Sequence, residues 1–322
     1  MPDKGNYMGT EAKNKRIGAA FFITVLTIMT AAAEFFQDRE IIFPEIAALA
    51  LGCFCMPVLP WRVSMPRMLF LIAGSAACGL CIRVFVPGSL YLKVLLAFTI
   101  AQLICLFSRT TLVPLISATV LPVLLESRSI RYLLSAALMT ALIIILRLVL
   151  ERTGIRKKTT FEPLPLPDRD ALLRAAARIV VVAAVSAAAL ANHWNFVIAP
   201  PILVAFTGFS ETYAEGKSID PQKILPVFFL CAFLGSLSRF VLTMMLGLPL
   251  AVSAFCAAAL ILIPMYQMSA LLPPAGALAI LAMLIPEQMV LIYPVEVLAG
   301  AVIFTAAAAL CGRTSADGIL DQ

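Results

Sequence analysis

The chain consists of long apolar runs separated by short polar, proline-containing or glycine-containing segments. One run, Phe240–Pro286, extends over 47 residues without Asp, Glu, Lys, Arg or His. A bilayer core about 30 Å thick accommodates roughly 20 apolar residues per helix, so this length suits several membrane crossings. The pattern predicts an all-α protein, a polytopic transmembrane helical bundle.

Six apolar segments precede a polar, proline-rich connector, and six follow it. We therefore predict a first membrane repeat at 1–150, a basic connector at 151–175 and a second membrane repeat at 176–322. Each repeat would hold about six membrane segments, some of them short, broken or re-entrant. The segments lie at about 17–36, 42–57, 67–86, 90–107, 112–126 and 132–150, then at about 176–192, 196–210, 223–246, 249–267, 271–286 and 289–311.

Residues of the first half recur in the second half in the same order. The pairs separated by 156 positions are Pro44 with Pro200, Gly52 with Gly208, Gly79 with Gly235 and Arg83 with Arg239. Pro114 and Pro274 are 160 positions apart. Several matches at nearly one spacing favour an internal repeat, with two parallel copies related by an axis along the membrane normal.

Basic residues cluster before the first span and in the connector. The excess of Lys and Arg in cytoplasmic loops places both regions, and with them the N- and C-termini, on the cytoplasmic side of the cell membrane. If all six segments of the first half cross, Arg62, Arg67 and Arg109 lie on that side as well. In the alternative, four full spans with two re-entrant segments, Arg62 and Arg67 face outward.

The composition limits the chemistry that the chain can carry. It is 62% hydrophobic and 13% charged, with one histidine, His193, and eight cysteines that all lie in apolar stretches. Metal and acid–base sites need convergent His, Cys or carboxylate groups, so we expect no catalytic residue, metal or cofactor, and no enzyme. The net charge of +6 is spread over loops, which does not favour nucleic acid. The expected partners are the lipid bilayer, a small solute and a second copy of the chain in a homo-oligomer.

Two segments in each half are short for a bilayer and contain proline: 42–57 and 112–126, with 196–210 and 271–286 as their partners. Such segments at matching positions of two halves indicate a transporter's binding site, because broken helices direct backbone amides into a cavity. Tight crossings of small residues are the alternative interpretation. The candidate substrate-binding residues on these segments are Pro44, Glu45, Pro114, Ser117, Thr119, Pro200, Pro201, Gly208, Pro273, Pro274 and Gly276.

Charged residues inside the apolar spans complete the candidate set. Arg83 and Arg239 match between the halves, and an arginine in a span is costly unless it faces a cavity or reaches an interface. Snorkelling is favoured for Arg83, while an anion-facing role and simple anchoring stay open for Arg239. Glu45 is either a proton-coupling group or an interfacial carboxylate at a helix start. Arg147 is expected to be a topology anchor or a snorkelling side chain.

Short motifs carry a family resemblance that covers both halves. They read FPEIAALA at 43–50, APPILVAF at 199–206, Pro66-Arg67, RTTLVPLISAT at 109–119, LLPPAGALA at 271–279 and YPVEVLAGAVIF at 293–304. With these motifs each half resembles the HPP family of bacterial and plastid membrane proteins, so the chain is similar to two tandem copies of that family. The family's histidine falls on Leu112 and Leu272, so chemistry that needs that histidine is not expected here.

The resemblance implies a function. Plastid relatives are associated with nitrite transport, so it implies a transporter or channel for a small solute such as an inorganic anion. A weaker resemblance to the fusaric-acid-resistance and aromatic-acid exporter-like families implies export of an aromatic acid. A non-transporting membrane scaffold or assembly partner is the alternative from another class, favoured by the scarcity of ionisable groups inside the spans.

Overall fold

The computed structural model describes residues 4–313, and the side-chain surroundings of residues 12–312. This part of the chain is helical, with twelve α-helices and no strand, so the predicted all-α helical bundle is confirmed. The helices are α1 (Lys4–Phe35), α2 (Glu45–Ala50), α3 (Met65–Phe85), α4 (Leu90–Phe107), α5 (Pro114–Leu124), α6 (Ile130–Arg152), α7 (Arg169–Ala191), α8 (Pro200–Ala214), α9 (Pro221–Ser238), α10 (Leu250–Gln267), α11 (Pro273–Leu281) and α12 (Tyr293–Arg313). Helix α2 continues as a π-helix over Leu51–Cys55, and α9 continues as one over Arg239–Met245.

Eight of these helices are long and apolar enough to cross a bilayer: α1, α3, α4, α6, α7, α9 with its π-helical extension, α10 and α12. Within each apolar window only 22% to 50% of the residues are buried inside the bundle. The rest of each helix presents apolar side chains outward, as a surface in contact with lipid requires. The protein is therefore a multi-pass integral membrane protein.

The other four helices, α2, α5, α8 and α11, are short and form the core. Helix α5 has 11 residues, and every one of them is buried. At 1.5 Å per residue it is about 16 Å long, roughly half the thickness of a bilayer core. Backbone that leaves the helical conformation at membrane depth must be enclosed by protein, and the long helices enclose these four.

The chain passes back and forth between two faces of the bundle. The connector between α6 and α7 lies on one of these faces, which we call the connector face. There the Arg109 guanidinium donates to the Leu164 carbonyl, and the Arg67 guanidinium lies 4.9 Å from the centre of the Phe161 ring. Arg131 binds Asp38 at 3.0 Å on the opposite face.

The Thr111 amide donates to the Arg62 carbonyl, which brings Arg62 to the connector face with Arg67 and Arg109. This distribution agrees with crossing of all six segments in the first half, and not with two re-entrant ones. The predicted cytoplasmic position of the chain ends concerns residues 1–3 and 314–322, which lie outside the described residues.

Contacts within and between the two halves occur in matching pairs. Helix α1 packs against α10 as α7 packs against α4, and α2 packs against α11 as α8 packs against α5. The Tyr132 hydroxyl donates to the Ala118 carbonyl at 3.1 Å, and the Tyr293 hydroxyl donates to the Leu278 carbonyl at 2.8 Å. These helix pairs and these two tyrosines therefore occupy corresponding positions in the two halves.

Glycine allows the short helices to approach the long ones closely. A Cβ atom at Gly79 of α3 would overlap the Thr119 carbonyl oxygen of α5, and one at Gly235 of α9 would overlap the Ala279 carbonyl oxygen of α11. Small residues at such crossings let two backbones come into contact. The matched glycines therefore fix the positions of α5 and α11.

Candidate functional site

The N-terminal ends of the four short helices converge at the centre of the bundle. They enclose a small space of about 10 Å³, the central cavity. Two residues from each short helix line it: Glu45 and Ala48, Pro114 and Ser117, Pro201 and Val204, Pro274 and Ala277. About 10–15 Å³ of such space is what one water molecule needs, so the central cavity accommodates nothing larger than a single water.

Glu45 is the ionisable residue of the central cavity. Its side chain is 1% exposed, and its Oε1 atom accepts a hydrogen bond from the Ser117 hydroxyl. The other oxygen, Oε2, has no hydrogen-bond partner among the described residues. A buried carboxylate oxygen without a donor is costly, so this position is unusual for a purely structural residue.

A much larger cavity of about 730 Å³, the vestibule, lies at the connector face. Its walls come from the connector at 164–168, from the ends of α4 and α8, and from the starts of α5, α7 and α11. Pro114, Val204 and Pro274 line both the vestibule and the central cavity. The vestibule therefore ends where the central cavity begins.

One wall of the vestibule carries a buried polar cluster around Arg178, whose side chain is 2% exposed. Its Nε donates to the Gln102 Oε1 at 3.1 Å, and its Nη1 donates to the Ser210 hydroxyl at 3.2 Å and to the Glu211 carboxylate. The Gln102 amide donates in turn to the Thr207 hydroxyl at 2.8 Å. Each group in the cluster has a partner, which makes this a rigid polar wall inside an apolar bundle.

The matched arginines Arg83 and Arg239 line neither cavity. Arg239 is 1% exposed and its Nη1 donates to the carbonyls of Ala282 and Ile285 at 2.8 Å and 2.6 Å, just beyond the C-terminal end of α11. Arg83 forms an ion pair with Glu126, which follows the C-terminal end of α5. Cations are favourable at helix C-termini, so both arginines anchor the outer ends of the short helices.

The C-terminal end of α2, with its π-helical continuation, is also bound by arginines, but this end lies on the connector face. Arg147 is fully buried and its Nη1 donates to the Cys53 carbonyl at 2.6 Å, while the Arg156 Nε donates to the Phe54 carbonyl at 2.9 Å. Burial lowers the pKa of the Arg156 guanidinium from its ordinary value. Arg147 also pairs with Glu151 at 2.8 Å, and because Arg147 is fully buried, the expectation of a topology anchor or a snorkelling side chain is wrong for this residue.

The remaining candidates fall into three groups. Gly208 and Pro273 line the vestibule. Pro44 and Pro200 stand at the starts of α2 and α8, next to the cavity-lining Glu45 and Pro201. Thr119 and Gly276 belong to helix crossings, where the Thr119 hydroxyl donates to the Leu115 carbonyl and a Cβ at Gly276 would lie 3.6 Å from the Ala47 carbonyl oxygen.

Sequence reasoning did not identify the polar cluster around Arg178. Arg178 follows the basic residues of the connector but lies inside the apolar segment at 176–192. Gln102 likewise interrupts the segment at 90–107. A polar residue within an apolar span is the signal that could have found both, because such a group needs a partner or a cavity.

Comparison of the chain with protein-family models, curated proteins and solved structures finds no match in any of the three. The resemblance to the HPP family and the weaker one to the exporter families therefore stay predictions that depend on short motifs.

Proposed function

We propose that the protein is a transporter or channel that moves a small solute along the interface between its two halves. The vestibule would be the entrance from the connector face, and the central cavity would be the point at which the path is closed. The observation that carries this proposal is the adjacency of the two spaces, which share Pro114, Val204 and Pro274 as lining residues.

Broken helices around such a space support transport over a purely structural role. Half-helices that meet near the middle of a membrane protein can separate without loss of their own backbone hydrogen bonds. Here the four short helices meet at their N-terminal ends, while Arg83, Arg147 and Arg239 hold the outer ends of α5, α2 and α11. The outer ends would stay in place when the centre opens.

The two halves are, in our proposal, copies of one repeat. The matched residues at constant spacing and the pairwise recurrence of helix contacts support this interpretation. A solute path on the axis between two parallel repeats is the usual arrangement for transporters of that kind. We place the protein in the cytoplasmic membrane with the connector face inward, because basic loops remain on that side.

For the substrate we propose a small inorganic anion such as nitrite, the class that the family resemblance implies. Four basic residues line the vestibule, Arg62, Arg174, Arg178 and Lys217, against three acidic ones, Asp168, Glu211 and Glu215. The vestibule therefore does not repel an anion. The starts of α5, α8 and α11 also direct the positive ends of their helix dipoles toward the centre.

Uptake of labelled nitrite and other small anions into proteoliposomes tests the proposal. We expect uptake by the unchanged protein and a loss of most of it in Arg178→Gln, because that change dismantles the vestibule wall. The matched control is Arg131→Gln, which removes an exposed ion pair with Asp38 on the opposite face and should retain uptake. Absence of uptake for every anion tested, with intact folded protein in the vesicles, would refute an anion transporter.

A second candidate, a membrane scaffold that transports nothing, is favoured by the tightness of the centre. The central cavity holds at most one water, and both Arg83 and Arg239 are engaged by neighbouring groups. The same uptake assay separates the two functions. A scaffold would give no uptake of any solute class, and it would be unaffected by Arg178→Gln beyond a change in stability.

A further inference from the structure

The centre of the bundle holds a single acidic group at a position where symmetry would allow two. The residue that occupies the matching position across the cavity from Glu45 is Pro201, and the one that matches Ser117 is Ala277. Both replacements are unable to donate a side-chain hydrogen bond or to ionise. The hydrogen-bonded pair of Glu45 and Ser117 is therefore unique to the first half among the residues that line this cavity.

The surroundings of Glu45 leave one of its oxygens available. The Ser117 hydroxyl satisfies Oε1, while Oε2 has no partner among the described residues even though the side chain is 1% exposed. Carboxyl groups placed inside a membrane bundle, facing a cavity, are the usual carriers of protons in pumps and transporters. An oxygen without a donor is where a proton would bind.

The size and composition of the central cavity select the proton over other cations. A space of about 10 Å³ cannot admit a hydrated ion. Metal cations such as Ca²⁺ and Mg²⁺ need about six oxygen ligands, and the two side chains here supply two carboxylate oxygens and one hydroxyl. Within the part of the chain that the structure describes, no group of three or more His, Cys, Asp or Glu could hold a metal ion.

Other ionisable groups do not compete for this role. In the described chain, α5 and α11 contain no ionisable residue, and those of α8, Glu211 and Tyr213, lie at its far end. On α6, the Tyr132 hydroxyl interacts electrostatically with Glu45 but is engaged by the Ala118 carbonyl. On α1, Glu34 accepts hydrogen bonds from the backbone amides at the start of α10.

We propose that Glu45 is a proton-binding site at the centre of the bundle and that its protonation couples solute movement to a proton gradient. This inference rests on the transport function proposed above. A proton from water in the vestibule binds to Oε2 when the centre opens toward the connector face. It leaves to water at the opposite face when the centre opens there. With the proton bound, Glu45 is neutral and does not repel an anion.

The proton site can be tested without any solute. Dicyclohexylcarbodiimide is soluble in lipid and modifies protonated carboxyl groups, so we would label the reconstituted protein over a range of pH. Fragment-ion mass spectrometry would distinguish Glu45 from Glu40. We expect modification of Glu45 to fall about tenfold for each pH unit once the ionised form dominates. Because this reagent is larger than the closed central cavity, it reaches Glu45 only while the centre is open; modification of Glu45 that does not depend on pH would overturn the proton site.

Coupling is tested by uptake into proteoliposomes with and without an inwardly directed proton gradient. We expect the gradient to stimulate uptake by the unchanged protein and to have no effect on uptake by Glu45→Gln. The matched control is Glu296→Gln, since Glu296 is equally buried but accepts the Phe196 amide at 2.7 Å and lines neither cavity. Gradient stimulation that survives in Glu45→Gln would overturn the coupling.

The two experiments fail in different ways. Labelling of Glu45 that depends on pH, with no uptake of any solute, would keep the proton site but remove both the coupling and the transport function. Uptake with pH-independent labelling would keep the transport function and remove the proton site.

Discussion

Substitution of Gly79 by alanine should destabilise the protein through a backbone clash. In the structure, the added methyl group would overlap the Thr119 carbonyl oxygen and contact Pro122, which are both on the fully buried helix α5. Neither atom belongs to the end of a flexible side chain, so α3 and α5 must separate. Overpacking of this kind lowers the free energy of unfolding by about 1–3 kcal/mol.

A matched control lies five residues earlier on the same helix. A Cβ atom at Gly74 would have no atom within 4 Å, and the residue is exposed on the lipid-facing side of α3. Both substitutions gain the same helix propensity, up to about 1 kcal/mol for alanine over glycine. The difference between Gly79→Ala and Gly74→Ala therefore isolates the clash, and we expect it to be about 1–3 kcal/mol.

The free energy of unfolding can be measured by titration of the purified protein with dodecyl sulfate in mild detergent micelles. Gly235→Ala should reproduce the loss in the second half, because its Cβ would overlap the Ala279 carbonyl oxygen. If Gly79→Ala unfolds at the same dodecyl sulfate fraction as Gly74→Ala, the close approach of α3 and α5 is wrong. A loss for Gly79→Ala without one for Gly235→Ala would contradict equivalent packing in the two halves.

Three further predictions concern the ends of helices and the vestibule. Glu34→Ala should lower the free energy of unfolding by about 1–2 kcal/mol in the same titration, because Glu34 caps the first amides of α10, and an unchanged value would exclude the cap. Arg147→Ala should lower the free energy of unfolding by about 3–5 kcal/mol, since it leaves Glu151 without its buried partner and the Cys53 carbonyl without its donor. A decrease below about 1 kcal/mol would contradict the burial of this ion pair. In a cysteine-free background, Thr212→Cys should react with a membrane-impermeant maleimide added at the connector face, and should not react when the maleimide is added at the other face. Lipid-facing Val295→Cys should not react. Equal labelling of the two variants would contradict an aqueous vestibule.

The long helices could be predicted from the sequence because each is an uninterrupted apolar run with charge, proline or serine at its ends. The segment at 90–107 coincides with α4, where Ser89 caps the first turn at the Leu92 amide. The segment at 67–86 differs from α3 by two residues at its start and one at its end. Length and hydropathy suffice here, since a membrane helix satisfies its own backbone hydrogen bonds.

The short helices were harder to delimit. The segment at 112–126 is helical only from Pro114 to Leu124, because Thr111 hydrogen-bonds to Arg62 and Glu126 turns away to pair with Arg83. These contacts join segments about 50 residues apart, so no local pattern encodes them. Proline nevertheless identified the start of the helix, as its restricted φ suits the first turn.

Three of the candidate residues that the sequence singled out, Pro114, Pro201 and Pro274, line the central cavity, because each stands in the first turn of a short helix. The arginines could not be placed, because a guanidinium can serve a cavity or a helix end, and only the fold decides which carbonyls it meets. Arg239 meets the carbonyls of Ala282 and Ile285, which are more than 40 residues away in the sequence.

The joining of both halves in one chain has a consequence for the facing positions at the centre. In a dimer of identical subunits, a carboxylate at the position of Glu45 would face its own duplicate, and two like charges in a space of about 10 Å³ cannot both ionise. Pro201 in the matching position removes that conflict. If the halves are copies of one repeat, as proposed, their covalent joining lets the centre carry one acidic group and lets its two sides evolve independently, which a symmetric assembly of identical subunits cannot do.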